Sequence, residues 1–245
     1  MGQLRKLRVA IAREGLLRTS ERAWDKLFSW VATGRLTHLL GRCRNLFRLP
    51  ALRRRHRAGK LNLGCGPDRR EGWLNADLGL TGDLHLNVSR PFPFPDSFFA
   101  LIFAEHLLEH LTEAAAAACL RECYRVLQPG GILRLSTPDL RQVVNEYLAP
   151  PDQTESSRAA SALASPWKYG PGQIPSPAQA LNDGFYLWEH RHLYDTSDLT
   201  KALAEAGFVQ VTCPRPGEGG SPLTAGLERR LEEGSLVVEA RKPVA

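Results

Sequence analysis

The sequence predicts an α/β domain with a largely parallel sheet, preceded by a basic helical extension. Two observations carry this. From Leu61 onward, short apolar runs alternate with helical patterns, as strands alternate with the helices that connect them. The charge balance changes at the same point: residues 1–60 hold 16 Lys/Arg against 3 Asp/Glu, a net +13, and the remainder holds 16 against 23, a net −7. The +6 of the whole chain is therefore a property of its N-terminal part. At 245 residues, 43% of them hydrophobic and 24% charged, the chain is long enough to bury one sizeable core. The expected division is an arm over residues 1–57 and one domain over 58–245.

In the arm, Trp24, Leu27, Phe28 and Val31 recur at helical spacing, and Leu36, Leu39, Leu40, Cys43, Leu46 and Phe47 do so again. Two amphipathic helices broken near Gly34 account for the pattern. Arg35, Arg42, Arg44 and Arg48, and then the run RRRHR over 53–57, give the segment a positive field. Such an arm fits three arrangements: a helix pair packed on its own domain with solvated arginines, a peripheral contact with an anionic membrane, or a contact with nucleic acid.

The domain's strands are expected at about 60–64, 73–77, 83–88, 98–104, 131–137, 207–213 and 235–241, and its main helices at about 105–127, 139–148 and 196–206. QPGG, 128–131, has the turn chemistry that ends a helix before the strand ILRLST, and Gly207 closes DLTKALAEAG in the same way. Residues 149–180, rich in Pro, Ser and Ala, read as an inserted loop of the lid or binding type. The connection 67–72 is too short for a crossover helix, so the first helix should be reduced to a turn.

Behind the first strand, KLNLGCGPDRREGWLNAD sets Gly64 and Gly66 where backbone can approach a ligand. A dinucleotide site would need a third glycine, but Arg69 stands there, and Asp77 follows Gly64 too closely for that fold. A ligand with an adenosine and no pyrophosphate fits better. S-Adenosylmethionine is such a ligand, with Asp77 at a strand end able to accept from both ribose hydroxyls.

Four stretches, LNLGCGPDRREGWLNADL, RPFPFPDSFFALIFAEHLLEHL, ECYRVLQPGGILRLSTPDL and HRHLYDTSDLTKALAEAGFVQV, stand in the order and spacing of class I S-adenosylmethionine-dependent methyltransferases. The chain resembles that family over about residues 58–213, and within it the methyltransferase type 11-like subgroup often met in polysaccharide and glycan biosynthesis. The resemblance implies a Rossmann-like seven-stranded sheet, mainly parallel with one antiparallel strand near the C-terminus. It also implies that Gly64, Cys65 and Gly66 form the cofactor loop, that Asp77, followed by Leu78, holds the ribose, and that Asn87 and Val88 meet the adenine. Asn87 stands where the family often has an acid, and its amide can still bond the adenine edge. Glu105 and His106 fall at the mouth of the cofactor site, where the acceptor pocket begins.

HLLEH places His106, Glu109 and His110 at i, i+3 and i+4, one face of a helix. His106 is the candidate general base for a hydroxyl acceptor, and His190, His192, Tyr194 and Asp195 are candidates to close the acceptor pocket. Glu109 and His110 fit a structural hydrogen-bonding role, and no metal is assigned. A divalent-ion site remains the alternative, because related RNA-end and quinone methyltransferases use a similarly spaced E-x-x-E-H cluster. Asp195 or Thr196 suits a helix cap.

The five cysteines, 43, 65, 119, 123 and 213, include no C-x-x-C pair, which argues against a disulfide framework or a zinc ribbon and for a reducing, cytoplasmic compartment. No apolar stretch approaches a membrane span. The expected function is S-adenosylmethionine-dependent methyl transfer, by O-methylation of a small-molecule or glycan acceptor, in the cytoplasm or peripherally at the inner face of a membrane. The alternatives are a nucleic-acid methyltransferase and a non-catalytic scaffold that binds the donor.

Overall fold

In the computed structural model, residues 35–148, 176–186, 188–229 and 234–244 are described. Helix α1, Arg35–Arg55, precedes β1 (Lys60–Leu63), β2 (Leu74–Asp77), β3 (Leu84–His85) and β4 (Phe99–Glu105). A single 3-10 turn, Leu108–His110, leads into α2 (Glu113–Val126) and β5 (Leu127–Pro138). Then come α3 (Leu140–Leu148), α4 (Pro177–Tyr186), α5 (Thr196–Glu205), β6 (Val209–Thr212) and β7 (Ser235–Arg241). The seven strands form one sheet in the order β3-β2-β1-β4-β5-β7-β6. The pairings from β3 to β5 are parallel, and β7 runs antiparallel to both β5 and β6. This is the Rossmann-like seven-stranded arrangement expected, with its antiparallel strand at the C-terminal end.

Side chains alternate across a strand, so the sheet has two unlike faces. Leu61, Leu63, Leu74, Ala76, Ile102, Ala104, Leu133, Leu135, Leu236 and Val238 belong to one continuous core with Cys119, Leu120 and Cys123 of α2 and Leu199 and Leu203 of α5. The other face carries the small cluster Trp73, Leu101, Phe103, Ile132 and Leu227. Between these lie polar strand residues, Asn62, Asn75 and Arg134, all buried. No helix occurs in the connections β1–β2, β2–β3 or β3–β4, so the reduction to a turn expected at 67–72 applies to all three. The β6–β7 connection supplies cover instead. Its Leu227 joins the small cluster, and its Glu228 grips Arg134 through Nε to Oε1 at 2.6 Å and Nη2 to Oε2 at 2.9 Å. Glu239, directly opposite Arg134 across the β5–β7 ladder, completes the buried group at 3.1 Å.

Several element bounds differ from expectation for identifiable reasons. The helix expected from 105 begins only at Glu113, because His106 has a left-handed backbone (φ 50°) and Thr112 caps the helix, its side chain accepting the Ala115 N–H. QPGG does not precede β5 but lies within it as an irregularity, the register with β4 jumping from Phe99↔Leu127 to Leu101↔Ile132. Gly130 there has φ 75°, and a Cβ on Gly131 would stand 2.8 Å from the Gln128 carbonyl oxygen. Of the expected loop 149–180, residues 149–175 lie outside the described residues, and Pro177–Tyr186 is helical. The first arm helix expected, before Gly34, also lies outside them. The second continues past 48 to Arg55, with Pro50 inside it.

Helix α1 is docked on the edge of the sheet. The Asn45 amide pairs with the outward backbone of β3, donating to the His85 carbonyl at 2.7 Å and accepting the His85 N–H at 3.2 Å. A side chain thereby occupies the hydrogen-bonding row that an edge strand otherwise leaves open. Gly41 permits the approach, since a Cβ there would lie 2.3 Å from the His85 ring. Arg44 and Arg53 donate to the Leu80 and Pro93 carbonyls, and Leu49 and Leu52 pack against the main core.

Candidate functional site

Ligands of open α/β sheets bind beyond the carboxyl ends of the strands, and the candidate residues collect there, on the connections leaving β1, β2 and β4. Gly64 and Gly66 both have left-handed backbones (φ 69° and 49°). A Cβ on Gly64 would come 2.8 Å from Leu107 Cδ1, so this glycine lets the loop after β1 seat against the loop after β4. A Cβ on Gly66 would meet nothing within 4 Å, so the backbone there faces open space. The Asp77 carboxylate fixes the loop: Oδ2 accepts the Gly66 N–H at 2.9 Å and Oδ1 the Gly79 N–H at 2.6 Å. Each oxygen keeps a second lone pair for a ligand hydroxyl.

Cys65 is buried, and burial, with the Asp77 charge beside it, pushes its thiol up to about 12. It packs and does not react. Leu78 is half-buried and Val88 buried. Asn87 accepts the Ser89 N–H with Oδ1 at 3.0 Å, which leaves its amide nitrogen to donate. These residues provide a glycine cradle, a ribose-type acceptor and an adenine-type donor, and they fit an adenosine ligand.

A polar clamp beneath the loop has no counterpart in the sequence reading. Asn62 donates to the Asp68 carbonyl at 2.9 Å and to Asn75 Oδ1 at 3.0 Å, and that oxygen also accepts the Arg70 N–H at 2.7 Å. Asn75 in turn donates to Asp83, whose carboxyl lies low: burial alone would raise it, but the Asn75 bonds and Arg69 outweigh that. Two asparagines inside the apolar runs KLNLG and WLNAD were the available signal, since a buried amide in a strand must find partners.

On the β4 side, Glu105 turns toward the β6–β7 connection, accepting the Arg229 N–H at 2.9 Å, while the Arg229 guanidinium pairs with Asp68. His106 leaves the strand with its N–H bonded to the Ser136 carbonyl at 2.8 Å. The i, i+3 and i+4 face expected of a helix is instead a strand end followed by a 3-10 turn. His106 and Glu109 still meet, with Nδ1 and Oε1 3.0 Å apart. Glu109 is fully buried, its Oε2 accepting from Thr137 Oγ1 at 3.1 Å and its carbonyl from the Arg191 N–H at 2.7 Å. Among the described residues, His106 Nε2 has only a 3.5 Å approach to Ser235 Oγ.

Glu109, His110 and His190 present ligand-type atoms that all lie within 4.8 Å of one another. Their one carboxylate and two imidazoles could hold a divalent ion after modest closure. The sequence placed Glu109 beside His110 but gave no sign that His190 joins them. His192 and Tyr194 look elsewhere. His192 Nε2 pairs with Asp198 at 2.8 Å, its ring lies against Tyr194, and both line a crevice between α2 and α5 with Glu113, Arg121 and Lys201. Burial, with the charge of Asp198, pushes the Tyr194 hydroxyl up to about 12. Asp195 caps α5, accepting the Asp198 N–H at 2.9 Å.

Residues 70–135, from the clamp through the middle of β5, match the family profile described as a methyltransferase domain. The cofactor that accompanies this domain is S-adenosylmethionine. Solved structures similar to the chain include three S-adenosylmethionine-dependent methyltransferases. That from Mesorhizobium loti is 18% identical with a TM-score of 0.46, covering 79% of this chain and 97% of its own. That from Thermotoga maritima is 16% identical with a TM-score of 0.46, covering 96% and 99%. That from Archaeoglobus fulgidus is 14% identical with a TM-score of 0.46, covering 84% and 94%. No curated protein matches the chain at a significant level.

Proposed function

We propose that this methyltransferase-domain protein methylates a hydroxyl of a small-molecule or sugar-type acceptor, with His106 taking the hydroxyl proton. S-Adenosylmethionine supplies an electrophilic methyl group on a sulfonium. The chain's own tasks are to align two molecules, exclude water and remove a proton. Gly64 and Gly66 would admit the donor, Asp77 would hold its ribose and Asn87 its adenine.

The His106–Glu109 pair carries the reading. Burial alone would raise the Glu109 carboxyl, but its contact with the His106 imidazole outweighs this and holds it below the usual carboxylate range. An ionised carboxylate at Nδ1 favours the tautomer with the proton on that nitrogen, which leaves the Nε2 lone pair outward. The His106 side chain keeps 14% of its surface exposed, and the weak approach to Ser235 leaves Nε2 open to an incoming hydroxyl.

The test uses the full chain with labelled S-adenosylmethionine and a panel of sugar, phenol and aliphatic hydroxyl acceptors, reading S-adenosylhomocysteine and the labelled ether. His106→Ala should lower kcat by about 100-fold or more while leaving donor affinity within about twofold. Full activity in His106→Ala would remove this histidine from the chemistry. Donor binding without S-adenosylhomocysteine for any acceptor favours the scaffold, and transfer to RNA or DNA favours the nucleic-acid enzyme.

A second reading, a divalent ion orienting the acceptor, rests on the Glu109–His110–His190 cluster. It requires that a chelator abolish turnover and that an added divalent ion restore it.

A further inference from the structure

The helix α1 is inverted relative to an ordinary packed amphipathic helix. The side docked on the sheet is largely polar, made of His38, Asn45 and Arg44 with Leu49 and Leu52. At 100° per residue, Leu39, Leu40, Cys43, Leu46 and Phe47 share the opposite side. Leu39, Leu40, Leu46 and Phe47 are 59%, 51%, 75% and 86% exposed. Exposed Arg42 borders this stripe, and exposed Arg54, Arg55 and Arg57 follow it. An outward apolar stripe of this size, next to cations that form no ion pair among the described residues, is the pattern of a helix lying in the plane of a lipid interface.

We propose that the outer face of α1 seats on an anionic lipid bilayer, with Leu39, Leu40, Leu46 and Phe47 in the acyl boundary and the arginines among the headgroup phosphates. Charge complementarity selects this occupant: the first 60 residues carry a net +13, and each basic residue near an anionic surface adds to the attraction. A second copy of the same face fits poorly, because it would set arginines against arginines. Nucleic acid would engage the arginines but give four large aliphatic and aromatic side chains no common apolar seat. No helix among the described residues is long and apolar enough to cross a membrane. The docking side holds His85 and the Leu80 and Pro93 carbonyls, which flank Leu78 and Asn87 in sequence.

The experiment is flotation of the full chain with vesicles of equal parts phosphatidylglycerol and phosphatidylcholine, and with vesicles of phosphatidylcholine alone. The full chain should float with the mixed vesicles at low salt and far less with the neutral ones. Leu46→Ser/Phe47→Ser, at exposed positions, should keep the melting midpoint and lower partitioning by about 100-fold or more. Arg42→Glu should weaken it several-fold and flatten its salt dependence. Four results would overturn the proposal: full-length protein that stays with the unbound fraction; flotation unaffected by Leu46→Ser/Phe47→Ser; a double variant that instead dissociates a dimer or loses fold stability without any vesicle binding by the parent; and binding to an RNA duplex in place of vesicles.

Discussion

The two faces of the sheet are built on different physics. The face under α2 and α5 is a continuous apolar core whose strand residues read Leu, Ala, Ile and Val at every second position. The face under the β6–β7 connection carries a cluster of five apolar residues, and buried amides and charges hold much of the rest. A helix brings its own satisfied backbone and one apolar stripe, so the strands beneath it need only be apolar. An irregular connection brings unsatisfied N–H and C=O groups, so the strands beneath it must offer partners. Gly217 N–H on Glu228 at 2.9 Å and the Glu218 carbonyl on Arg134 are such pairings. The same polar face supports the loop after β1 through Asn62 and Asn75. The glycine loop after β1 is thus supported by hydrogen-bond geometry, whereas the fold as a whole is supported by apolar burial.

The largest expected effect separates the two kinds of support. Arg134→Leu strips the cation from two buried carboxylates and should cost about 3–5 kcal/mol. Leu133→Ala, its neighbour on the helix-covered face, should cost about 2–5 kcal/mol through transfer and cavity terms. The two variants differ in their pH response. Glu228 is raised by burial, but the Arg134 hydrogen bonds, the Gly217 N–H and the Arg134 charge outweigh that and depress its pKa. A depressed folded pKa gives stability that is present above the unfolded carboxylate range and lost as pH falls through the folded value. Leu133→Ala should keep that acid loss. In Arg134→Leu the Gly217 N–H is left to oppose the burial cost without the cation, the folded pKa rises, and stability should recover as the pH drops and Glu228 protonates. Urea midpoints from neutral to acid pH measure both, and parallel pH curves would show the Arg134 group to be energetically idle.

The next effect concerns the cradle. Asp77→Ala removes the acceptor of the Gly66 and Gly79 N–H groups as well as the proposed ribose partner, so it should weaken S-adenosylmethionine binding by well over tenfold and also lower the melting midpoint. Asp77→Asn keeps one acceptor oxygen and the side-chain shape but loses the charge. It should cost about tenfold in donor affinity, the value of one charge-assisted bond, with less loss of stability. Calorimetry with S-adenosylhomocysteine reads the affinity. Equal affinity in Asp77→Asn and the parent would move the ribose site away from β2.

How much of this was legible beforehand follows the same division. The strands of the apolar face could be read from alternating leucines, and Gly64, Gly66 and Asp77 from their spacing behind the first of them. The 3-10 turn at 108–110 could not, because HLLEHL has perfect helical spacing and the break depends on the left-handed backbone of His106, which is set by its bond to Ser136 on a neighbouring strand. The same limit hid His190 beside His110 and turned His192 and Tyr194 into the α2–α5 crevice: each depends on contacts far apart in sequence. Arg134 inside ILRLST and Glu239 inside LVVEA were visible as charges in apolar strands, and only the β5–β7 register made them a pair.

The smallest expected effect lies at the edge where the two faces meet. Asn45 lends β3 a donor and an acceptor from outside the sheet, and β3 is only two residues long. Asn45→Ala would leave both His85 backbone groups to partly excluded water, which at about 0.5–1.5 kcal/mol per bond amounts to about 1–3 kcal/mol. Asn45→Asp keeps the acceptor for the His85 N–H but opposes the His85 carbonyl with charge, so it should cost at least as much. Both variants should speed hydrogen exchange of the His85 amide while leaving amides of β4 and β5 protected, because the loss is confined to the edge. If removal of residues 1–57 leaves the melting midpoint and His85 exchange unchanged, α1 is an appendage and the domain begins at 58. A loss at least as large as that of Asn45→Ala makes α1 part of the fold, carrying its outward stripe on a rigid mount.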